Sequence, residues 1–147
     1  DSYPKRRGMT RVPELLAAGV NVAFGHDCVM DPWYSMGSGD MLEVAHMAVH
    51  VAQMASIADR QKAFEIVTHG NARAMGLEDY GLAPGCHADL VVLDARDPVD
   101  AIRLKATRLA VIRRGKVIAE SAPRQSRLML DGRPESVAAA DYAPMAG

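Results

Sequence analysis

The chain has 147 residues, with 17 Lys and Arg against 18 Asp and Glu, and is 49% apolar but only 5% aromatic. A formal charge of −1 at pH 7 creates no field able to hold a phosphate backbone, which excludes nucleic acid as the main partner. No run approaches the roughly 18 consecutive apolar residues of a membrane span, no basic-then-apolar leader opens the chain, and Cys28 and Cys86 are too few for a disulfide framework, so a soluble cytoplasmic protein is expected.

Taken in chain order, Asp1 to Gly8 has no apolar period and no start signal, and since it opens on Asp rather than Met a further N-terminal portion is expected ahead of it. Val12 to Gly19 reads as a short helix, with Pro13 in its first turn, Leu15 and Leu16 inward and Gly19 as its stop. Val20 to Phe24 is an apolar run expected as a strand, ending in Gly25-His26-Asp27. Helix, glycine, strand, then polar residues at the strand's carboxyl end is the rhythm of an α/β unit.

Residues 29–40 are rich in turn formers, and Asp40 followed by Glu43 predicts a capping box for a helix from Met41 to about Ile57, apolar almost all the way round. A second helix is expected over Arg60 to Thr68 and a short third one after Asn71, stopping at Gly76. The texture changes at Tyr80. Ala88 to Leu93 is a β-rich run, and Leu109 to Arg113 and Lys116 to Ala119 flank Arg114-Gly115 as a two-residue hairpin. Residues 121–147, with Pro123, Pro134 and Pro144, are expected to be a poorly ordered tail, apart from a short strand at Leu128 to Leu130.

The stretch Phe24-Gly25-His26-Asp27-Cys28-Val29-Met30-Asp31-Pro32-Trp33 carries the most chemistry. A carboxylate at the carboxyl end of a buried parallel strand sits where barrel enzymes assemble their sites. By spacing alone Asp27 serves equally well as a turn cap with His26 packed beside it, and Trp33 equally well as a loop anchor. His46 and His50 are four apart and share a helix face, but Met47 follows the first where a zincin needs Glu, so both read as core or interface histidines. His69 and His87 read as loop or helix-end residues with no role in a site. The basic run Lys5-Arg6-Arg7 reads as solvated surface.

Four segments, DSYPKRRG (1–8), FGHDCVMDPW (24–33), MLEVAHMAVH (41–50) and ADLVVLD (88–94), resemble the C-terminal third of bacterial cytosine deaminases of the metal-dependent amidohydrolase superfamily, over about residues 1–120. The first two are the more specific. The resemblance implies an α/β fold: the C-terminal part of a (β/α)8 TIM-type barrel in residues 1–79, with Val20 to Phe24 as its last strand, and part of a small β domain in 80–120. It implies a catalytic, metal-ligating role for Asp27 toward a divalent ion, Fe²⁺ or Zn²⁺, and a substrate-pocket position for Trp33.

Cys28 departs from the resemblance, because that position is typically a second aspartate beside the substrate. A small, weakly polar thiol changes the charge and size of the pocket, which implies a substrate-binding role for Cys28 and an altered choice among amino-pyrimidines and related rings: a 5-substituted cytosine, isocytosine or an aminotriazine. The His-x-Glu and Pro-Cys-x-x-Cys signature of the other zinc deaminases is missing. So are the His-x-His pair and further histidines that such a barrel needs; one carboxylate falls short of the three protein ligands of a catalytic zinc, so this chain alone is expected to be inactive. A homo-oligomer is implied for the longer enzyme. A superfamily member acting on an aminotriazine, isocytosine or cyclic amide, and a non-catalytic assembly module, are the competing readings.

Overall fold

The computed structural model describes residues 8–33 and 35–138, so Lys5-Arg6-Arg7, nearly all of the first resembling segment and residues 139–147 lie outside the described residues. The chain divides into two compact units, one ending at Leu77 and the other beginning at Glu78.

The first unit is helical. Helix α1 covers Val12–Ala17, with Pro13 in its first turn, and Gly19 follows at φ +76°. Helix α2 covers Met41–Val51 and buries Leu42, Val44, Ala45 and Ala48. It stops six residues earlier than its apolar pattern predicts. Gln53 takes a left-handed backbone (φ +56°), its N–H meets the carbonyl of His50 at 3.2 Å, and the N–H of Met54 meets that of Val49 at 2.9 Å. This is a Schellman ending on a residue other than glycine, locked by the burial of Met54, so the sequence lacks the usual glycine marker.

The capping box also lies elsewhere than predicted. The Asp40 side chain accepts from the N–H of Leu42 at 2.7 Å, but Glu43 accepts from the Ser38 hydroxyl instead of returning to Asp40. The reciprocal box belongs to helix α3, Ile57–Glu65: Ser56 Oγ accepts from Asp59 N at 3.1 Å and Asp59 Oδ2 accepts from Ser56 N at 3.2 Å. A π-helical turn, Ile66–Gly70, continues α3 into α4, Asn71–Ala74, and Gly76 follows at φ +66°. Helices α2 and α3 and the π-helical turn share a core to which Ala63, Ile66 and Val67 contribute.

The strand expected at Val20 to Phe24 is not formed. A parallel strand takes its backbone hydrogen bonds from neighbouring strands, and among the described residues none lies beside it. The Asn71 side chain at the start of α4 meets the backbone of Phe24 instead.

In the second unit, β1 (Leu90–Leu93), β2 (Arg108–Arg113) and β3 (Lys116–Glu120) form an antiparallel sheet in the order β1-β2-β3. Arg114 and Gly115 both have positive φ, +50° and +76°, as the predicted two-residue turn requires. Asp89 of the ADLVVLD segment secures that turn, accepting from the N–H of Arg114 at 2.6 Å. Helix α5, Pro98–Leu104, was not anticipated, although Asp97 caps it and Pro98 opens it.

Within the predicted tail, β4 (Gln125–Arg127) and β5 (Ser136–Ala138) pair as an antiparallel ribbon. No strand forms at Leu128 to Leu130. Extended pairing across a turn satisfies backbone groups that a disordered, proline-containing tail would leave to solvent.

Asp100 on α5 is buried, with 7% of its surface exposed, and accepts from Arg96 Nε at 2.8 Å and Arg103 Nη2 at 2.9 Å. Arg103, with Arg96 adding, holds its carboxyl below the usual carboxylate range against the opposing effect of burial. A lowered folded-state pKa means that Asp100 stabilises the fold above the unfolded value of about 3.9 and loses that contribution as pH falls through the folded value. Asp100→Asn is expected to cost about 1–2 kcal/mol at neutral pH, discounted for the half-exposed arginines. Urea unfolding of both proteins checks this, the gap shrinking as the pH is lowered below about 4.

Candidate active site

The residues after Phe24 reverse direction within three positions. The N–H of Cys28 donates to the carbonyl of His26 at 2.8 Å, and the residue between them, Asp27, has φ +67°. A three-residue turn around a left-handed centre is the rarer, strained kind of γ-turn, and Asp is one of the few non-glycine residues that tolerates it. Strain of this sort concentrates at functional positions. Here the residue at the centre of the turn is an acid, Asp27.

The next turn is built by Asp31. Its Oδ1 accepts from the N–H of Trp33 at 2.9 Å, and its carboxylate also accepts from the Cys28 thiol. That hydrogen bond, followed by desolvation and the negative charges of Asp31 and Asp27, pushes the thiol pKa up. Each of these effects favours the thiol over the thiolate, which leaves Cys28 a weak donor.

Asp27, Cys28 and Trp33 all line one cavity of about 650 Å³, whose apolar wall includes Phe24, Val44 and Met47. The structure brings together the three residues singled out in the sequence. Trp33 stands at the cavity with 89% of its surface exposed, so within this chain its indole packs against little.

Two further residues escaped the sequence reading. Glu43 lines the same cavity, its Oε2 3.9 Å from Nε2 of the largely buried His26. That His26 nitrogen has no hydrogen-bond partner among the described residues. Asn71 bonds the backbone of Phe24 through both ends of its amide, accepting from N at 3.0 Å and donating to O at 2.8 Å. Glu43 carried the signature of a cap, and no local pattern announces a partner 47 residues away.

The histidine pair on α2 behaves as neighbours on one face: the rings of His46 and His50 lie 4.8 Å apart at 55°, His46 half-buried and His50 exposed. His69 and His87 are exposed, the latter with Nε2 3.9 Å from Asp79. Among the described residues no three His, Cys, Asp or Glu side chains are grouped so as to hold a metal ion. The donors present thus fit one carboxylate ligand position, at Asp27, and do not make a complete site. Among the same residues no helix is long and apolar enough to cross a membrane.

The chain is similar to known proteins over most of its length. Residues 1–120 match the family model described as the amidohydrolase family. The solved structure of 5-methylcytosine deaminase from Klebsiella pneumoniae, liganded with 5-fluorocytosine, is similar with a TM-score of 0.81 and 44% identity, over 87% of this chain and 31% of that one. Pterin deaminase of Rhizobium rhizogenes is 37% identical over 121 residues, 82% of this chain. N-isopropylammelide isopropyl amidohydrolase of Pseudomonas sp. strain ADP is 36% identical over 108 residues, 73% of this chain. The chain spans 27% of the length of each of these two relatives. A match over most of the sequence, with the turn at Asp27 inside it, places the chain in the amidohydrolase family.

Proposed function

We propose that this chain is part of a metal-dependent hydrolase that converts an exocyclic amine on a pyrimidine or related heterocycle to a carbonyl with release of ammonia. In this reading residues 1–79 belong to the C-terminal part of a (β/α)8 barrel and 80–120 to a small β domain. The observation that carries it is the strained turn that sets the Asp27 carboxylate on the wall of the cavity. The names of the relatives support it, since two denote deamination of a heterocycle and the third an amidohydrolase acting on N-isopropylammelide.

Asp27 would hold a divalent ion together with ligands from outside this chain, and such an ion, Fe²⁺ or Zn²⁺, when bound lowers the pKa of a coordinated water to about 7. The work of the chain itself is to move protons and shape the pocket. As the water oxygen adds to the ring carbon bearing the amine, the Asp27 carboxylate accepts one of the water's two protons and hands it to the amine nitrogen; the ring nitrogen that receives the displaced C=N electron pair takes up the other, the C–N bond breaks, and ammonia leaves as the carbonyl forms. The Trp33 indole offers a flat apolar face to a flat ring, worth about 1 kcal/mol. The Cys28 side chain offers a small, weakly polar surface, which favours a 5-substituted cytosine, isocytosine or an aminotriazine over cytosine. The homo-oligomer implied by the resemblance belongs to the same proposal.

The test is a substrate panel on the metal-loaded protein that carries this chain, following ammonia release from cytosine, 5-methylcytosine, isocytosine and an aminotriazine. At least one of the last three is expected to match or exceed cytosine in kcat/KM. A strong preference for cytosine over all three sinks the specificity assigned to Cys28, and no ammonia from any ring sinks the activity. The isolated 147-residue chain is expected to be inert.

A further inference from the structure

We infer that Asn71 is a positioning residue for Asp27, acting through the backbone of Phe24; the inference rests on the activity proposed above. Both backbone polar groups of Phe24 are taken by one side chain, the N–H donating to Asn71 Oδ1 at 3.0 Å and the C=O accepting from Asn71 Nδ2 at 2.8 Å. A primary amide presents one donor and one acceptor side by side, which is what a neighbouring strand presents to a residue in a ladder. Asn71 thus does for Phe24 what a strand partner would do. Only Gly25 and His26 separate this clamp from Asp27.

The clamp has a second tie. Asn21 Nδ2 donates to the carbonyl of Gly70 at 3.1 Å, and Arg73 Nε donates to Asn21 Oδ1 at 2.9 Å. Between the two ties the backbones touch so closely that a Cβ on Gly70 would stand 2.7 Å from the Val22 carbonyl oxygen. The whole of this face is presented where the π-helical turn Ile66–Gly70 passes into α4. An inserted π-helical turn costs regular helical bonding and is found mostly where a helix must aim particular groups. Here the groups aimed are Gly70, Asn71 and Arg73, at the segment that leads into the strained turn.

No other side chain of this size reproduces the clamp. Aspartate keeps the acceptor for the Phe24 N–H but turns a second oxygen toward the Phe24 carbonyl, and alanine supplies neither group. The experiment compares wild type, Asn71→Ala and Asn71→Asp in the metal-loaded protein that carries this chain. It measures kcat and KM for the best ring of the panel and amide hydrogen exchange at Phe24. Asp97→Ala, which removes the cap of α5, is the comparison for lost stability alone.

In Asn71→Ala, kcat is expected to fall at least tenfold with KM within about threefold, since a displacement of about 1 Å in a reacting group is enough for a loss of that order. Exchange at Phe24 is expected to quicken while that of α2 holds. Where Asn71→Ala fails to fold, Asn71→Asp, which keeps size and one hydrogen bond, is expected to show the same kcat loss with KM held. A kcat within about twofold of wild type in the folded variant, an unchanged Phe24 exchange rate in Asn71→Ala, or an equal kcat loss in Asp97→Ala overturns the inference. If wild type releases no ammonia from any ring while Phe24 exchange quickens in Asn71→Ala, the proposed activity fails and the clamp stands.

Discussion

Replacing Asp27 by Asn is expected to lower deamination by about 10²- to 10⁴-fold while leaving the fold intact, because it removes a proton acceptor without removing the turn. Asn tolerates the left-handed backbone at φ +67° as Asp does, so the γ-turn between His26 and Cys28 is retained. Thermal unfolding of the variant is expected to shift by no more than about 0.5 kcal/mol. Asp27→Ala adds a Cβ-only residue at a left-handed position and is expected to lose about 1 kcal/mol besides. A steady-state assay beside a melting curve separates the two effects. Turnover by Asp27→Asn within a few-fold of wild type would remove Asp27 from the reaction.

The second large effect is expected at a residue with no chemistry of its own. A Cβ built on Gly37 stands 2.3 Å from the carbonyl oxygen of Cys28 and 3.0 Å from the Cα of Val29. Both obstacles are backbone, so no rotamer relieves them; the chain around Cys28 has to move. Gly37→Ala is therefore expected to cost about 1–3 kcal/mol in stability, the range for overpacking a tight site. It is also expected to cost about 10²-fold in kcat/KM, because the displaced backbone is bonded into the turn that presents Asp27. The comparison is Gly25→Ala, whose Cβ meets nothing within 4 Å and whose stability is expected to stay within about 0.5 kcal/mol of wild type. Equal stabilities for the two variants would show that the loop adapts and that Gly37 is not holding it.

Both expectations depend on different parts of the chain's legibility. Asp27 was visible because a short pattern, Gly-His-Asp after an apolar run, carries its meaning locally. Gly37 was visible only as a turn former; the residue against which it packs was not. The same division runs through the fold. Gly19 and Gly76 mark helix ends and Arg114-Gly115 marks a hairpin, since the backbone conformations needed there select residue types directly. The end of α2 at Gln53 was hidden because the burial of Met54 stabilises a left-handed residue whose own type gives no notice of it. Asp97-Pro98, a cap followed by a first-turn proline, is a local signal of the same kind for α5.

Glu43 shows how one local pattern can serve two ends. Its spacing from Asp40 satisfies the capping-box rule, yet in three dimensions Ser38 occupies its carboxylate and it joins His26 on the cavity wall. The box formed one helix later, at Ser56 and Asp59. Which of two equivalent local arrangements forms is decided by what else can reach the groups, and that is a tertiary matter.

By itself the sequence determined the helical character of the first unit, the hairpin of the second and the stretch around Asp27, each through contacts within a few residues of backbone. Only the tertiary structure decided that Val20 to Phe24 makes no ladder among the described residues and that Asn71 takes both backbone groups of Phe24. A strand is a relation between segments, so its hydrogen bonds cannot be read from one of them. The partner of Phe24 lies 47 residues on, at a distance that sequence spacing does not encode and packing does.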